Sequence, residues 1–331
     1  MKREHYDLIT IGGGSGGLAV AEKAAAAGRK VAIIESGRLG GTCVNNGCVP
    51  KKVMWHAASL AHAADNAGDF GIPARRGDTD WQTLVAGRDQ YIRKINDYWH
   101  GYVADSGIER IPGHARFVDA GTVEVDGVRY TADHIVIATG SEPIVPPLPG
   151  AELGITSDGF FGLRAQPRKV AVIGGGYVAV DLGGMLNALG SSVTLVALEN
   201  RLMERFDPMI SEVLEKEMRL QGIRVQTGFR VTGLSGNAGE IGVMSADSGT
   251  LAGFDTVIWA VGRRPGTQGL NPGAAGIEVL PDGAIAVDDH ANTSVPGIYA
   301  VGDVTGRLPL TPVAIAAGRR LAERLFEGQA S

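Results

Sequence analysis

Two cysteines are all that this 331-residue chain contains. That excludes a fold stapled by several disulfides. A chain long enough for about two domains of roughly 150 residues can bury its own cores without them. In a reducing compartment a lone pair of cysteines is more often catalytic or metal-binding than structural. Metal ligation would need histidine or carboxylate partners. The seven histidines (His5, His56, His62, His100, His114, His134 and His290) show no ligand spacing around the pair, so no metal site is expected. Basic runs are absent too, and the formal net charge is −5, which makes nucleic acid and anionic membranes poor partners. No apolar stretch approaches the ~20 residues of a membrane span. The one that begins at Leu8 is cut at once by glycines, unlike the core of a signal peptide. The expectation is a soluble, cytoplasmic protein.

Glycine is what the chain has in excess, with 49 residues, roughly twice the usual ~7%. Such an excess implies tight turns and close backbone approaches. Residues 6–11 are an apolar run ending in Gly12-Gly13-Gly14-Ser15-Gly16-Gly17. An alanine-rich helical pattern follows over 18–27, Gly28 closes it, and 30–34 form a second strand ending at Glu35. The pattern recurs with a strand at Lys169–Ile173, then Gly174-Gly175-Gly176-Tyr177-Val178-Ala179, a helix to about Leu189 and a strand over 192–197. Between the two, 49–64 and 81–104 read as helices, and 113–126 and 130–138 as short strands. The proline-rich stretch 142–150 reads as a linker. Strands are also expected at 256–261, ahead of Gly262, and at 297–301, ahead of Asp303, with a last helix at Thr311–Phe326.

The first GxGxxG comprises Gly12, Gly14 and Gly17. Its glycines permit the tight turn, admit a pyrophosphate to the backbone and let helix pack on strand. The helix N-terminus offers unpaired N–H groups to phosphate oxygens, and Glu35 ends the next strand where a carboxylate can accept from ribose hydroxyls. The second fingerprint is Gly174, Gly176 and Ala179. Counted the same way, its counterpart to Glu35 is Ala197, so no acid stands there. That absence suits a ribose 2′-phosphate, and Arg201 and Arg205 are nearby to bind one. Glu199 and Glu204 are interleaved with them, however, and the arginines read equally well as a solvated face.

Cys43 and Cys48 lie in Gly40-Gly41-Thr42-Cys43-Val44-Asn45-Asn46-Gly47-Cys48-Val49-Pro50-Lys51. Five residues apart in an ideal helix, their Cα atoms would be roughly 8–9 Å apart, too far for the ~5.5–6 Å of a disulfide. A bridge therefore requires a distorted turn, for which Asn45-Asn46-Gly47 is suitable chemistry. Pro50 is expected to hold Val49 away from helical angles. A nearby helix start would lower a thiol pKa.

Gly-Gly-Thr-Cys-x4-Cys-Val-Pro-Lys-Lys after such a fingerprint resembles the pyridine nucleotide–disulfide oxidoreductases, and the continuation through residues 53–58 resembles the glutathione reductase type. Further matches are Ala138-Thr139-Gly140, Ser157-Asp158-Gly159-Phe160-Phe161, Ala260-Val261-Gly262-Arg263, Tyr299-Ala300-Val301-Gly302-Asp303 and Leu310-Thr311-Pro312. The resemblance implies an α/β fold of two Rossmann-like three-layer domains. A flavin domain would span 1–145 and 286–331, with a nicotinamide domain inserted at 146–285. It implies FAD and NADPH as cofactors, with NADH as the alternative, and glutathione disulfide as substrate.

By the same resemblance Cys48 is the flavin-proximal thiol and Cys43 the thiol that attacks substrate. Lys51 and Asp181 flank the flavin and nicotinamide, and Tyr177 is the gate over the flavin. Ser15, Gly16, Glu35, Thr42, Ala115, Gly140, Asp303 and Thr311 are flavin-site residues. Val178 and Gly262 belong with the nicotinamide site, and Ser15, Trp99 and Arg319 with glutathione. Three departures accompany the match. The family's 2′-phosphate arginines fall on Leu198 and Glu204, and an alanine of the second fingerprint is Gly183. A glutathione-stacking tyrosine falls on Trp99, and a glutathione-binding arginine on Glu22. The family's C-terminal interface domain, which carries the dimer contact and a histidine–glutamate acid/base pair, has no counterpart here, so a monomer or weak dimer is expected. Two alternatives stay open: a flavoprotein that reduces artificial acceptors but turns glutathione over poorly, and a non-catalytic nucleotide-binding module.

Overall fold

Strand alternation organises the core. In the computed structural model, which describes residues 4–74 and 76–328, Leu8 faces one side of a sheet while Ile9 and Ile11 face the other. The neighbouring strand repeats this, with Val31 and Ile33 on the first side and Ala32 and Ile34 on the second. A period of two with both faces apolar is the signature of a strand covered on both sides. The helices are α1 (Ser15–Ala26), α2 (Gly41–Asn46), α3 (Cys48–Asn66), α4 (Trp81–Asp105), α5 (Ser157–Gly162), α6 (Tyr177–Ala188), α7 (Pro208–Leu220) and α8 (Thr311–Phe326).

The chain divides into two compact units. The first holds residues up to 49, 91–142 and 264 onward. Its sheet runs in the order Glu109–Pro112, Val31–Glu35, Glu4–Ile11, Val128–Ile137, Thr122–Val125 and Arg116–Asp119, and Ile298–Ala300 also pairs with Val128–Ile137. The ten-residue strand Val128–Ile137 serves two partners on one edge: its start pairs antiparallel with Thr122–Val125 and its end parallel with Ile298–Ala300. One face is covered by Leu18, Val20 and Ala24 of α1 and Leu321 of α8. On the other, Phe117, Val123, Leu270, Ile277 and Ile285 close the core.

The second unit holds 50–90 and 143–263 and is inserted twice into the first along the chain. Its sheet is all parallel, in the order Arg224–Gln226, Ser192–Val196, Lys169–Ile173, Thr256–Trp259 and Ile155–Thr156. Leu182, Met185 and Leu186 of α6, with Met54 and Trp81, cover one face. A three-stranded antiparallel sheet, Val231–Asn237, Glu240–Ser245 and Gly249–Phe254, covers the other through Leu234, Ile241 and Val243. Both units are thus Rossmann-like three-layer assemblies.

The compact units divide differently from the expected boundaries at 145 and 286. Residues 264–285 join the first unit because Leu270, Ala275, Ile277 and Ile285 are buried in its core. Residues 50–90 join the second because Met54, Ala58, Trp81 and Val85 are buried there. Burial of side chains decides the grouping.

Candidate active site

The first glycine turn is built as its residue types require. Gly12 has φ +109°, and a Cβ there would overlap the carbonyl of Ala138; one on Gly17 would overlap the carbonyl of Gly12. At Gly14, the N-cap of α1, a Cβ would meet only Gly41 Cα at 3.7 Å, and no side chain caps the helix. The middle glycine therefore leaves an open approach to the unpaired N–H groups of α1, a cradle that fits a pyrophosphate. Glu35 is held at its strand end: Gly13 N–H donates to Oε2 at 2.7 Å and Gly37 N–H to Oε1 at 2.7 Å. Thr139 Oγ1 is buried without a hydrogen-bond partner, and Thr139 N lies 3.2 Å from where a Gly12 Cβ would stand.

Other residues that the sequence matches to a flavin site lie in the same compact unit. A Cβ on Gly16 would stand 3.1 Å from Val301 and 3.7 Å from the Ala314 side chain, which brings the start of α8 and the residues before Asp303 against α1. Asp303 Oδ2 accepts from Ser141 Oγ at 2.8 Å. Ala115 packs on the first unit's core. Gly140 has φ +67° and nothing within 4 Å of its Cβ position.

The cysteine segment lies on the same turn. Gly41 opens α2, and Thr42 and Cys43 follow within it. At Gly47, with φ −150° and ψ −116°, the helix breaks, and Cys48 begins α3. The distorted turn required by the spacing is therefore a break between two helices. Pro50 acts otherwise than expected: it sits in the first turn of α3 with Val49 helical before it. There its missing N–H has no carbonyl to serve, so the helix accommodates it. A pair of buried amides braces the segment. Asn45 Nδ2 donates to Leu39 O at 3.1 Å and Gly41 O at 2.9 Å, and Asn96 Nδ2 donates to Leu39 O at 3.0 Å and Asn45 Oδ1 at 3.1 Å. The sequence marks Asn45 only as a turn residue, and nothing in it signals Asn96, which is 51 residues away.

Both cysteines are thiols in this structure, Cys43 half-buried and Cys48 exposed. Cys48 Sγ lies 3.6 Å from Thr311 Oγ1, at the first residue of α8. A lowered thiol pKa was expected; at Cys43 the shift is upward. The hydrogen bond with Cys48 is the main cause and burial the second, while the Thr311 hydroxyl opposes them. In a dithiol one sulfur's proton is shared with the other, which outweighs the stabilisation of a thiolate by a helix start.

Lys51, three residues past Cys48, pairs with Asp181 of α6 at 2.7 Å, Nζ to Oδ2. Asp181 follows Tyr177 by one helical turn; Tyr177 opens α6 and is exposed. The second glycine turn repeats the first. Gly174 has φ +141°, and its Cβ would overlap the Ala260 carbonyl, while Gly176 has nothing within 4 Å. Ala179 is fully buried and Val178 packs on the unit's core. Gly262 N-terminally borders the unit's end and accepts from Ile144 N–H at 3.0 Å. At Gly183 a Cβ would stand 2.9 Å from Leu195 Cδ2, so glycine lets α6 settle on the strand.

The arginines near this turn are placed differently from a phosphate clamp. Arg201 Nη2 donates to Glu204 O at 3.0 Å, and Arg205 is exposed. Trp99 packs edge-on against Tyr98 and Tyr102, at 5.5 and 5.8 Å between ring centroids. Burial first, and Glu22 second, raise the Tyr102 phenol pKa. Arg319 is exposed on α8, and its charge acts on Lys23, which pairs with Glu323 at 2.8 Å.

Comparison with known proteins agrees with this geometry. The family model described as pyridine nucleotide-disulphide oxidoreductase matches residues 6–318. Glutathione reductase of Schizosaccharomyces pombe is 45% identical over 336 residues, covering 98% of this chain and 72% of the relative. Glutathione reductase of Yarrowia lipolytica is 41% identical over 339 residues, covering 97% and 72%. Among solved structures, the Cu(II) complex of the HOCl-induced flavoprotein disulfide reductase RclA from Escherichia coli superposes with a TM-score of 0.88 at 29% identity, over 98% of this chain and 71% of that one. FAD and a pyridine nucleotide, NADPH in its glutathione reductases, are the cofactors of this class, and two phosphate-cradling turns with a dithiol laid on the first are what it requires. The chain belongs to the pyridine nucleotide-disulphide oxidoreductase family.

Proposed function

We propose that this protein reduces glutathione disulfide, taking electrons from a nicotinamide nucleotide through FAD to Cys43 and Cys48. The observation that carries this reading is the pairing of the two thiols with each other and with Thr311 at the start of α8, on a segment packed against the first glycine turn. FAD, when bound, relays two electrons from nicotinamide hydride to the cysteine disulfide. Gly12, Gly14, Ser15, Gly16 and Glu35 would hold its adenosine and phosphates, with Thr42, Ala115, Gly140, Asp303 and Thr311 around the remainder. Lys51, held by Asp181, would present its ammonium to the ring system.

In the oxidative half, Cys43 attacks one sulfur of glutathione disulfide. The substrate S–S bond breaks, a mixed disulfide forms on Cys43, and the proton that Cys43 gives up leaves on the first glutathione thiol. Cys48 then attacks the Cys43 sulfur and releases the second glutathione, which takes the Cys48 proton. Two thiols are formed and the Cys43–Cys48 disulfide is left for re-reduction by two electrons and two protons. Trp99 and Arg319 flank the substrate in this reading. No described helix is long and apolar enough to cross a membrane.

The test is glutathione-disulfide-dependent oxidation of nicotinamide nucleotide by the FAD-loaded protein. Cys43→Ser and Cys48→Ser should each abolish it while leaving FAD bound. Turnover of artificial electron acceptors with none of glutathione disulfide would sink the reading.

A further inference from the structure

We propose that the second glycine turn selects a nicotinamide nucleotide with a free ribose 2′-hydroxyl, and that Glu199 is the residue that makes the selection. The inference rests on the reading of that turn as the nicotinamide site.

The two turns of this chain calibrate each other. In the first, the acid that ends the following strand, Glu35, accepts the N–H of Gly13, the residue between Gly12 and Gly14, at 2.7 Å. Gly175 is the counterpart of Gly13. At the strand end Ala197 is buried and offers no acceptor, but the chain bends back beyond it. Ala197 N–H donates to Gln226 O at 2.8 Å, Phe229 N–H to Ala197 O at 2.9 Å and Gly228 N–H to Glu199 O at 2.8 Å. Met203 N–H donates to Gly175 O at 2.7 Å, which closes the segment over the turn. The result is that Glu199 Oε2 lies 3.0 Å from the position a Gly175 Cβ would occupy. Each turn therefore has a carboxylate at the residue between its first two fingerprint glycines, Gly13 and Gly175; in the second it arrives two residues later in sequence, which a count from the fingerprint misses.

A carboxylate there accepts from ribose hydroxyls, whereas a 2′-phosphate would face a like charge. The surrounding donors do not offset this. Leu198, next to Glu199, is apolar and 55% exposed. Arg201 is turned to the Glu204 carbonyl and lines a cavity with Ser211, Glu215 and Arg219 of α7. Arg205 is exposed with Glu204 beside it in the chain. The residues present fit the pyrophosphate of either nucleotide and the ribose of NADH; they do not fit the 2′-phosphate of NADPH.

The experiment is equilibrium titration of the FAD-loaded protein with NAD⁺ and with NADP⁺, by calorimetry. We expect NAD⁺ to bind at least about tenfold more tightly, the value of one charge-assisted hydrogen bond. Glu199→Gln should weaken NAD⁺ by about tenfold without weakening NADP⁺. Tighter binding of NADP⁺ by the parent protein, or an unchanged preference in Glu199→Gln, would overturn the assignment while leaving the nicotinamide site standing. Binding of neither nucleotide by protein that retains FAD would overturn the site itself, and the assignment with it.

Discussion

Gly41 lies against Gly14: a Cβ on Gly41 would stand 2.7 Å from the Gly14 Cα. The first residue of the cysteine helix thus rests on the N-cap of the phosphate-turn helix, so the dithiol and the pyrophosphate cradle are positioned by one backbone contact. Gly41 also has φ +58°, which costs an alanine about 1–3 kcal/mol. Gly41→Ala should lower the thermal midpoint and reduce FAD retention, measured as the 450 to 280 nm absorbance ratio after desalting. An unchanged ratio would mean the two elements tolerate separation.

The Asn45–Asn96 brace should contribute to the stability of the cysteine segment itself. Asn96→Ala removes two bonds to buried acceptors and should cost about 1–3 kcal/mol. Denaturant titration of the protein reads this directly. The same variant should make the segment 38–47 more open to proteolysis than the parent.

Lys51 and Asp181 make a close ion pair, but their side chains are 40% and 35% exposed. Pairs this accessible are worth no more than about 1 kcal/mol, so stability is a poor reason for it. Lys51→Met should leave the denaturation midpoint nearly unchanged and slow reduction of the flavin by nicotinamide nucleotide about a hundredfold, the scale of losing one oriented charge at a reacting centre. Stopped-flow absorbance separates the two effects; a large fall in midpoint with normal flavin reduction would identify the pair as structural.

The upward shift of the Cys43 thiol sets a pH signature. A raised pKa keeps the thiol protonated through neutral pH, so alkylation should climb about tenfold per pH unit and still be climbing above about pH 9, where an ordinary thiol of pKa ~8.5 is levelling off. Cys48→Ala removes the main cause of the shift and should move the rise to lower pH. Iodoacetamide labelling of the reduced protein, read by mass spectrometry, gives both profiles. A plateau below pH 9 in the parent would contradict the shift.

Where sequence and structure differ, the reason is contact range. Lys169–Ile173 and Thr311–Phe326 coincide with the expected spans because alternation and helical periodicity are local signals. α7 and the antiparallel strands from 231 to 254 were not foreseen. Those strands are glycine-rich and have their register shifted at Val231/Gly233 and Ile241/Val243, which blurs the alternation. Pro50, expected to hold Val49 out of helical angles, is a first-turn residue instead, a distinction that depends on where the helix begins and so on the break at Gly47.

The order of residues alone determined the two dinucleotide turns, the place of Glu35 and the break between Cys43 and Cys48. Each follows from sterics within a few residues or from the reach of one strand. Only the tertiary structure decided that Gly41 meets Gly14, that Asn96 braces Asn45, that Thr311 joins the thiols and that Glu199 takes the position left by Ala197. These pairings depend on how strands and helices distant in the chain pack, and one residue of slip or one extra bend in a loop would change them without altering any motif.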